Sequence, residues 1–278
     1  MTNGMTLLDE VAMVSPHKIS IKHVTHTYGV GDKAVHALGP VTLDIAEGEF
    51  TCLVGPSGCG KSTLLRAIAG LASPSDGQID LRLPPTHRAS VATVFQDYGI
   101  FPWKTVEGNV RFALGVLKLS KADARERTDL WLERLGLLDF RRAYPSQLSG
   151  GMRQRVAIAR AMATEPDVLL MDEPFAALDA QMREMLQEVL LEVSGNSKRT
   201  VVFVTHSLEE AIILGDRVLV MSSRPGRIID DVQVPFPRPR DTAVRQSARF
   251  GEIRGQLWDR LRAEVEQQVA DQRRGRSS

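Results

Sequence analysis

The sequence predicts an α/β fold, a largely parallel sheet whose strands alternate with helices, interrupted once by an all-helical insertion. Three observations predict it. Short apolar runs recur at 50–54, 91–95, 168–171, 201–204 and 218–221. Apolar residues at helical spacing follow the first of these runs and lie between the third and fourth, a pattern that builds parallel sheets. From about residue 97 to 165 the strand signal stops and the helical pattern continues alone.

The elements follow in chain order. Residues 1–17 carry acidic residues and no early basic cluster ahead of an apolar core; they make a poor signal peptide and are expected to be a flexible N-terminus. Ile19 and Ile21, then Val41, Leu43 and Ile45, alternate with mostly polar neighbours as half-buried strands do. Phe50 to Val54 is a strand feeding a glycine-rich loop. Beyond the loop Leu64, Leu65, Ile68 and Leu71 fall on one helical face, and Gly70 weakens the helix end. Val91 to Phe95 is another short strand. Within the insertion Ser120 ahead of Asp123 resembles a capping box, and Gly136 stops the helix that carries Leu130, Leu132 and Leu135. A helix bearing Met182, Met185, Leu186, Val189 and Val193 separates the strands at 168–171 and 201–204. PFPRPR at 235–240 is a proline-punctuated linker. Phe250, Ile253, Leu257, Leu261 and Val265 then mark a C-terminal helix, expected to pack on its own core rather than on a partner; Gly251 and Gly255 weaken both readings. RRGRSS at the end reads as a frayed tail.

Bulk properties narrow the function. At 278 residues, 43% hydrophobic and 25% charged, the chain has an ordinary globular composition, enough for one large domain or two small ones. A formal charge of +1 predicts no strong general attraction to nucleic acid or anionic lipid. No apolar run reaches the roughly 18–20 residues of a membrane span. Cys52 and Cys59 make no disulfide framework and suit a reducing compartment. The histidines lack metal spacing; His23 and His26, three apart on a strand, fall on opposite faces.

Three motifs carry chemistry. In TCLVGPSGCGKSTLLRAIAG, residues 51–70, the loop Gly55, Pro56, Ser57, Gly58, Cys59, Gly60, Lys61, Ser62 and Thr63 has the spacing that wraps backbone N–H groups around a polyphosphate. The strand before it and helix after it aim the helix dipole at the phosphates; Lys61 would neutralise their oxygens and Ser62 would bind magnesium. In DVLLMDEP, residues 167–174, Asp172 ends an apolar run at the edge of a parallel sheet where ligands bind, placed to hold magnesium, and Glu173 follows as a group able to polarise water. Two acids after an apolar run are, in isolation, more often a strand end meeting solvent. In LSGGMRQRVAIARA, residues 148–161, Ser149, Gly150 and Gly151 start a second helix able to face an anion, although alone this is more often a capped helix with nothing bound.

Together and in this order, across roughly residues 18–235, the motifs resemble the nucleotide-binding subunit of ABC transporters, for which LSGGMRQR is the specific signature. The resemblance implies a P-loop NTPase core, an antiparallel β subdomain and a helical subdomain over about 97–165 within an ATPase domain of residues 18–235, after which the proline-rich linker and C-terminal helix occupy 236–278. It implies ATP and Mg2+, with Glu173, His206, Gln96 and Lys61 catalytic and Ser62, Gln96 and Asp172 at the metal. Tyr28 matches the aromatic that stacks on adenine, Gln96 in VFQDYG the hinge glutamine, Asp179 in AALDA the loop that crosses to a partner subunit, and His206 in FVTHS the γ-phosphate histidine. Taken singly these are a strand aromatic, surface polar groups and a strand-end histidine.

What the family implies is a homodimer clamping each ATP between Lys61 of one copy and Ser149 of the other, against transmembrane permease subunits, at the cytoplasmic face of the inner membrane. An exported substrate-binding protein would be an indirect partner. Phe101 and Trp103, just after Gln96, lie where the family receives a permease helix; burial inside the subdomain is the plain alternative. FPWKTVEGNV, SRPGRI at 223–228 and the short C-terminal helix resemble importers of the nitrate, sulfonate and taurine group. A soluble ABC ATPase acting on nucleic acid or ribosomes is the alternative. The chain lacks the long coiled coil between motifs of the first kind and the second cassette of the other, so no nucleic-acid partner is expected.

Overall fold

The structure is a computed structural model and describes residues 17–84, 90–195, 199–240 and 242–275. Apart from His17, the expected flexible N-terminus lies outside the described residues, as do residues 276–278 of the expected tail.

Alternation of apolar and polar residues builds the first sheet. β1 (His17–Tyr28) pairs antiparallel with β2 (Val35–Ala46) on one side and β4 (Asp76–Leu81) on the other, in the order β2-β1-β4. Ile19, Ile21, Val24, Val41, Leu43 and Ile45 all turn to one buried face. His26 is buried and His23 exposed, on opposite faces as their spacing requires.

Continuous apolar runs build the second sheet, because strands covered on both faces leave no position for a polar residue. Its order is β5-β6-β7-β3-β8-β9, with β3 (Phe50–Val54), β5 (Val91–Val94), β6 (Val168–Asp172), β7 (Thr200–Val204) and β8 (Arg217–Met221) parallel and β9 (Ile228–Gln233) antiparallel at the edge. Alternate residues serve different cores. Leu53, Leu170, Val202 and Leu219 meet the first sheet and α1 (Lys61–Ile68), which supplies Leu64, Leu65 and Ile68. Phe50, Cys52, Leu169, Phe203 and Val218 face the other way, toward the insertion and the C-terminal helices. The insertion is α2 (Val106–Leu114), α3 (Lys121–Arg134) and α4 (Gly150–Ala163), joined by Val110, Trp131, Leu132, Leu135 and Val156. Ser120 caps α3, its Oγ accepting from the Asp123 N–H at 3.1 Å.

Several expectations change. Leu71 is not on the face of α1: the helix ends at Ile68, Gly70 turns left-handed, and Leu71 is 61% exposed, its N–H donating back to the Arg66 carbonyl. Leu130 is exposed, while Thr128 and Trp131 fill the α3 interior. Strands β4 and β9 and the short helix α6 (Leu208–Leu214), which follows α5 (Ala180–Gly195), were not anticipated. β4 and β9 are edge strands, DGQIDL and IIDDVQ, where one-sided exposure tolerates the polar residues that hide the pattern.

The C-terminal helix, α7 (Ala248–Gly275), buries Phe250, Ile253 and Leu257 on its own core; Leu261 is half-buried and Val265 exposed, where the helix runs past the body beneath it. Residues 273–275 of the expected frayed tail continue that helix. The proline-punctuated stretch before it is fastened down: Arg238 donates to Asp216 and to the Leu214 carbonyl, and Arg240 to the carbonyls of Phe236 and Gly215. Cys52 and Cys59 are free and buried. Among the described residues no helix is long and apolar enough to cross a membrane.

Candidate functional site

The chain leaves the central strand β3 at Val54 and wraps residues 55–60 back to the start of α1. Gly60 adopts φ +104°, and a Cβ there would come within 2.7 Å of the Ala37 carbonyl oxygen and a Leu38 methyl, so the loop closes only without a side chain. Lys61 opens α1 with its stem buried. Its Nζ donates to the carbonyls of Gly55 at 2.8 Å and Pro56 at 2.9 Å and lies 3.7 Å from Cys59 Sγ. Burial pushes the Cys59 thiol up in pKa, and the Lys61 charge opposes that shift.

The next residue points at the sheet. Ser62 Oγ donates to Asp172 Oδ1 at 2.9 Å, which joins the phosphate loop to the end of the neighbouring-but-one strand β6. Asp172 is 2% exposed. Burial raises its carboxyl above the ordinary value, and the Ser62 bond works against that shift. Glu173 follows in a left-handed conformation, φ +46°, unusual for a side chain with a Cβ. Its N–H donates to the Val204 carbonyl at 3.0 Å. The turn brings Glu173 Oε2 within 3.4 Å of Gln96 Nε2 and 3.6 Å of His206 Nδ1. Three residues from three strand ends thus meet at one carboxylate.

Beneath His206 lies a scaffold that sequence reasoning missed. Thr205 Oγ1 donates to the buried Glu210 carboxylate at 2.5 Å and accepts from the Ser207 N–H at 3.0 Å, which sets the turn into α6. Burial raises the Glu210 carboxyl, with the Thr205 bond and Arg183 opposing.

A cleft of about 340 Å³ opens over this region. Tyr28, Ser57, Gly58, Gly60, Lys61, Ser62, Thr63, Gln96 and Glu173 line it, as do Val35, Ala37 and Arg224, which sequence reasoning did not include. Val35 and Ala37 left no motif. Arg224 belongs to the SRPGRI stretch, a signal present in the sequence but read only as a group resemblance. Tyr28 sits at the rim, its hydroxyl 3.2 Å from Thr63 Oγ1. His26 packs edge-on against Tyr28, with Nδ1 at 3.1 Å from the Ser73 carbonyl.

Other expected residues lie elsewhere. Ser149, Gly150 and Gly151 form the start of α4, where Ser149 Oγ accepts from the Met152 N–H at 3.2 Å; they do not line the cleft. Asp179 caps α5, accepting from the Met182 N–H at 2.9 Å, and is likewise outside it. His206 borders a second cleft of about 520 Å³ with Leu208 and Trp258. Phe101 and Trp103 are not buried together inside the insertion. Trp103 is 70% exposed, Phe101 packs between it and the exposed Phe112, tilted to the first and edge-on to the second, and Arg160 lies over the Phe101 ring.

Among the described residues no group of three or more His, Cys, Asp or Glu is placed to hold a metal ion. The Ser62 hydroxyl and Asp172 carboxylate instead make a hard oxygen pair beside a phosphate loop. That donor set suits magnesium, which takes few protein oxygens and fills its shell from water and phosphate.

The profile of the ABC transporter family matches residues 38–176. The chain is 48% identical over 235 residues to a taurine import ATP-binding protein of Rhizobium johnstonii, covering 81% of this chain and 88% of that one. It is 42% identical over 231 residues to a nitrate import ATP-binding protein of Synechococcus elongatus, covering 81% and 84%. A solved dimeric ATP-binding cassette in a post-hydrolysis state, bound to ADP and Pi, superposes with a TM-score of 0.72 at 33% identity, covering 79% of this chain and all of that one. With the phosphate loop, its carboxylate partner and the signature sequence in register, the chain belongs to the ABC transporter family and is an ABC-type ATPase.

Proposed function

We propose that this chain is the energy-coupling subunit of a membrane importer, hydrolysing ATP to drive uptake of a small anion such as nitrate, a sulfonate or taurine. The observation that carries the ATPase part is the convergence of Lys61, Ser62, Asp172, Glu173, Gln96 and His206 around one phosphate loop. The names of the taurine and nitrate relatives support the substrate class.

In this reading residues 18–235 form the ATPase domain, with 97–165 as its helical subdomain and 236–278 as linker and C-terminal helix. The backbone N–H groups from Gly55 to Thr63, Pro56 excepted, hold the phosphates, Lys61 leaves its loop carbonyls for the terminal phosphate oxygens, and Tyr28 faces the adenine. Ser62, Asp172 and Gln96 would hold magnesium, which supplies charge neutralisation on the phosphate oxygens. Glu173 accepts a proton from the attacking water, and Gln96 and His206 fix that carboxylate and the γ-phosphate. Catalysis is then mostly positioning and charge stabilisation.

The partners follow from what the cleft lacks. Ser149–Gly151 and Asp179 stand outside the cleft of their own chain, which leaves them for the ATP of a second copy in an isologous dimer. The exposed Trp103 and Phe112, with the half-buried Phe101 between them, suit a helix of a transmembrane permease. An exported binding protein would select the substrate, and the ATPase would sit peripherally on the cytoplasmic face of the membrane.

Glu173→Gln tests the site. It is expected to bind ATP, lose about 100-fold or more in turnover, and run as a dimer in size-exclusion chromatography with ATP and magnesium. A monomeric variant with normal turnover would refute the assignment. Uptake of labelled taurine, sulfonate or nitrate by the reconstituted importer tests the substrate class.

A further inference from the structure

The turn between β8 and β9 lies directly across the phosphate loop. A Cβ on Gly226 would come within 1.9 Å of the Cys59 carbonyl oxygen, so only glycine permits the approach. Gly226 is tied to β2 by its own backbone, donating to the Ala37 carbonyl and accepting from the Gly39 N–H, each at 3.0 Å. Two residues before it, Arg224 sends Nε and Nη2 to the Gly58 carbonyl at 3.2 and 3.1 Å. The same guanidinium lines the cleft with Lys61, Ser62 and Glu173. Immediately before Arg224, the N–H and Oγ of Ser223 both donate to Glu264 Oε2 in α7, at 2.8 and 3.3 Å. Two charge-assisted contacts on consecutive residues, Glu264 with Ser223 and Arg224 with Gly58, therefore link the C-terminal helix through the chain itself to the phosphate loop.

We propose that Arg224 is a nucleotide-site residue, pinning the phosphate loop through Gly58 and adding positive charge to its rim, and that Glu264 of α7 is the positioning residue that holds it there. The inference rests on reading the cleft as the nucleotide site. Two neighbouring donors of the planar guanidinium grip one carbonyl, which fixes the orientation of the peptide between Gly58 and Cys59. Five donors are available on arginine, so this grip does not exhaust its capacity for a phosphate oxygen. Lysine, with a compact ammonium, keeps the charge but not the fork. Glu264 acts at a distance: by accepting twice from Ser223 it fixes the backbone next to Arg224, so the ordering of that side chain is complete before a ligand arrives.

The test uses the full-length chain and equilibrium binding of a fluorescent ATP analogue with magnesium, together with melting temperatures. Arg224→Ala is expected to weaken binding about 5- to 20-fold, as loss of charge-assisted bonds does. Arg224→Lys recovers part of that loss. Glu264→Ala weakens binding by a smaller factor, about 2- to 5-fold, and the double variant binds no worse than Arg224→Ala alone, because both act through one contact. Should Arg224→Ala also melt early, Arg224→Lys decides: partial recovery of affinity supports the contact, and none overturns it. Unchanged affinity in Arg224→Ala, or effects of the two single variants that multiply, overturns the proposal while leaving the nucleotide site intact. Failure of the wild-type chain to bind ATP at all overturns the nucleotide reading, and this inference with it.

Discussion

Asn109 illustrates how one side chain shapes a functional surface. It is fully buried, and its amide meets four backbone groups of the preceding turn. Oδ1 accepts from the Phe101 N–H at 2.7 Å, and Nδ2 donates to the carbonyls of Phe101, Lys104 and Thr105 at 3.2, 3.1 and 3.0 Å. These bonds fix the backbone of the turn that carries the exposed Trp103. Asn109→Ala would leave buried backbone groups unpaired; we expect a loss of about 2–4 kcal/mol in urea unfolding. A change below about 0.5 kcal/mol would show that water replaces the amide without cost. Legibility at this scale was uneven. Lys61 and Ser62 announced themselves because a phosphate loop needs particular residues at particular spacings, and Asp172 stood out only once paired with that loop. Asn109 and Thr205 did not, since a polar residue that satisfies backbone groups in a loop carries no periodic signal.

Between elements, polar bridges matter as much as apolar faces. Helix α2 is tied to the segment after α3 by backbone bonds, Val106 N–H to the Ala143 carbonyl and Glu107 N–H to the Arg141 carbonyl. The Glu107 carboxylate also takes Arg141 Nε at 3.2 Å, while Asp129 of α3 takes Nη2 at 2.9 Å. The Arg141 hydrogen bond, with help from Arg111, holds the Glu107 carboxyl below its ordinary value of 4.5. A carboxylate with a depressed folded pKa contributes stability that is present above its unfolded pKa and lost as pH falls through the folded one. Glu107→Gln should therefore melt earlier than the wild type at pH 7, by about 1 kcal/mol of stability, and the gap should close as pH drops below 4.5. Thermal melts across that range check it; a gap independent of pH would mean that shape rather than charge matters. Element positions were most legible where both faces are buried: β3, β6 and β7 stood out as apolar runs. The edge strands β4 and β9 escaped because an edge needs only half a pattern, and α6 because seven residues give barely two turns of periodicity.

At the scale of the molecule, the chain carries two helix starts able to face an anion that it does not bring together. Lys61 lines the cleft, whereas Ser149 caps α4 outside it. In the proposed dimer a bulky charge at Ser149 would enter the partner's ATP. Ser149→Arg should consequently abolish turnover and ATP-dependent dimerisation while leaving nucleotide binding to the isolated chain within about twofold, since nothing in that chain's own cleft changes. Calorimetric titration with a slowly hydrolysed ATP analogue checks this, and lost binding in the monomer would place Ser149 in its own site.

ATP hydrolysis, the alternation of strands and helices, and the family were all written in the order of the residues. Phosphate binding is done by consecutive amides with a lysine beside them, a short-range device that must be written contiguously. Only the tertiary structure decided that Trp103 stands exposed, that the proline-punctuated stretch is bolted down by arginines, and that Arg224 reaches Gly58 from 166 residues away. Such contacts join loops of fixed shape and no period, and they exist only after the sheet has set the distance between them.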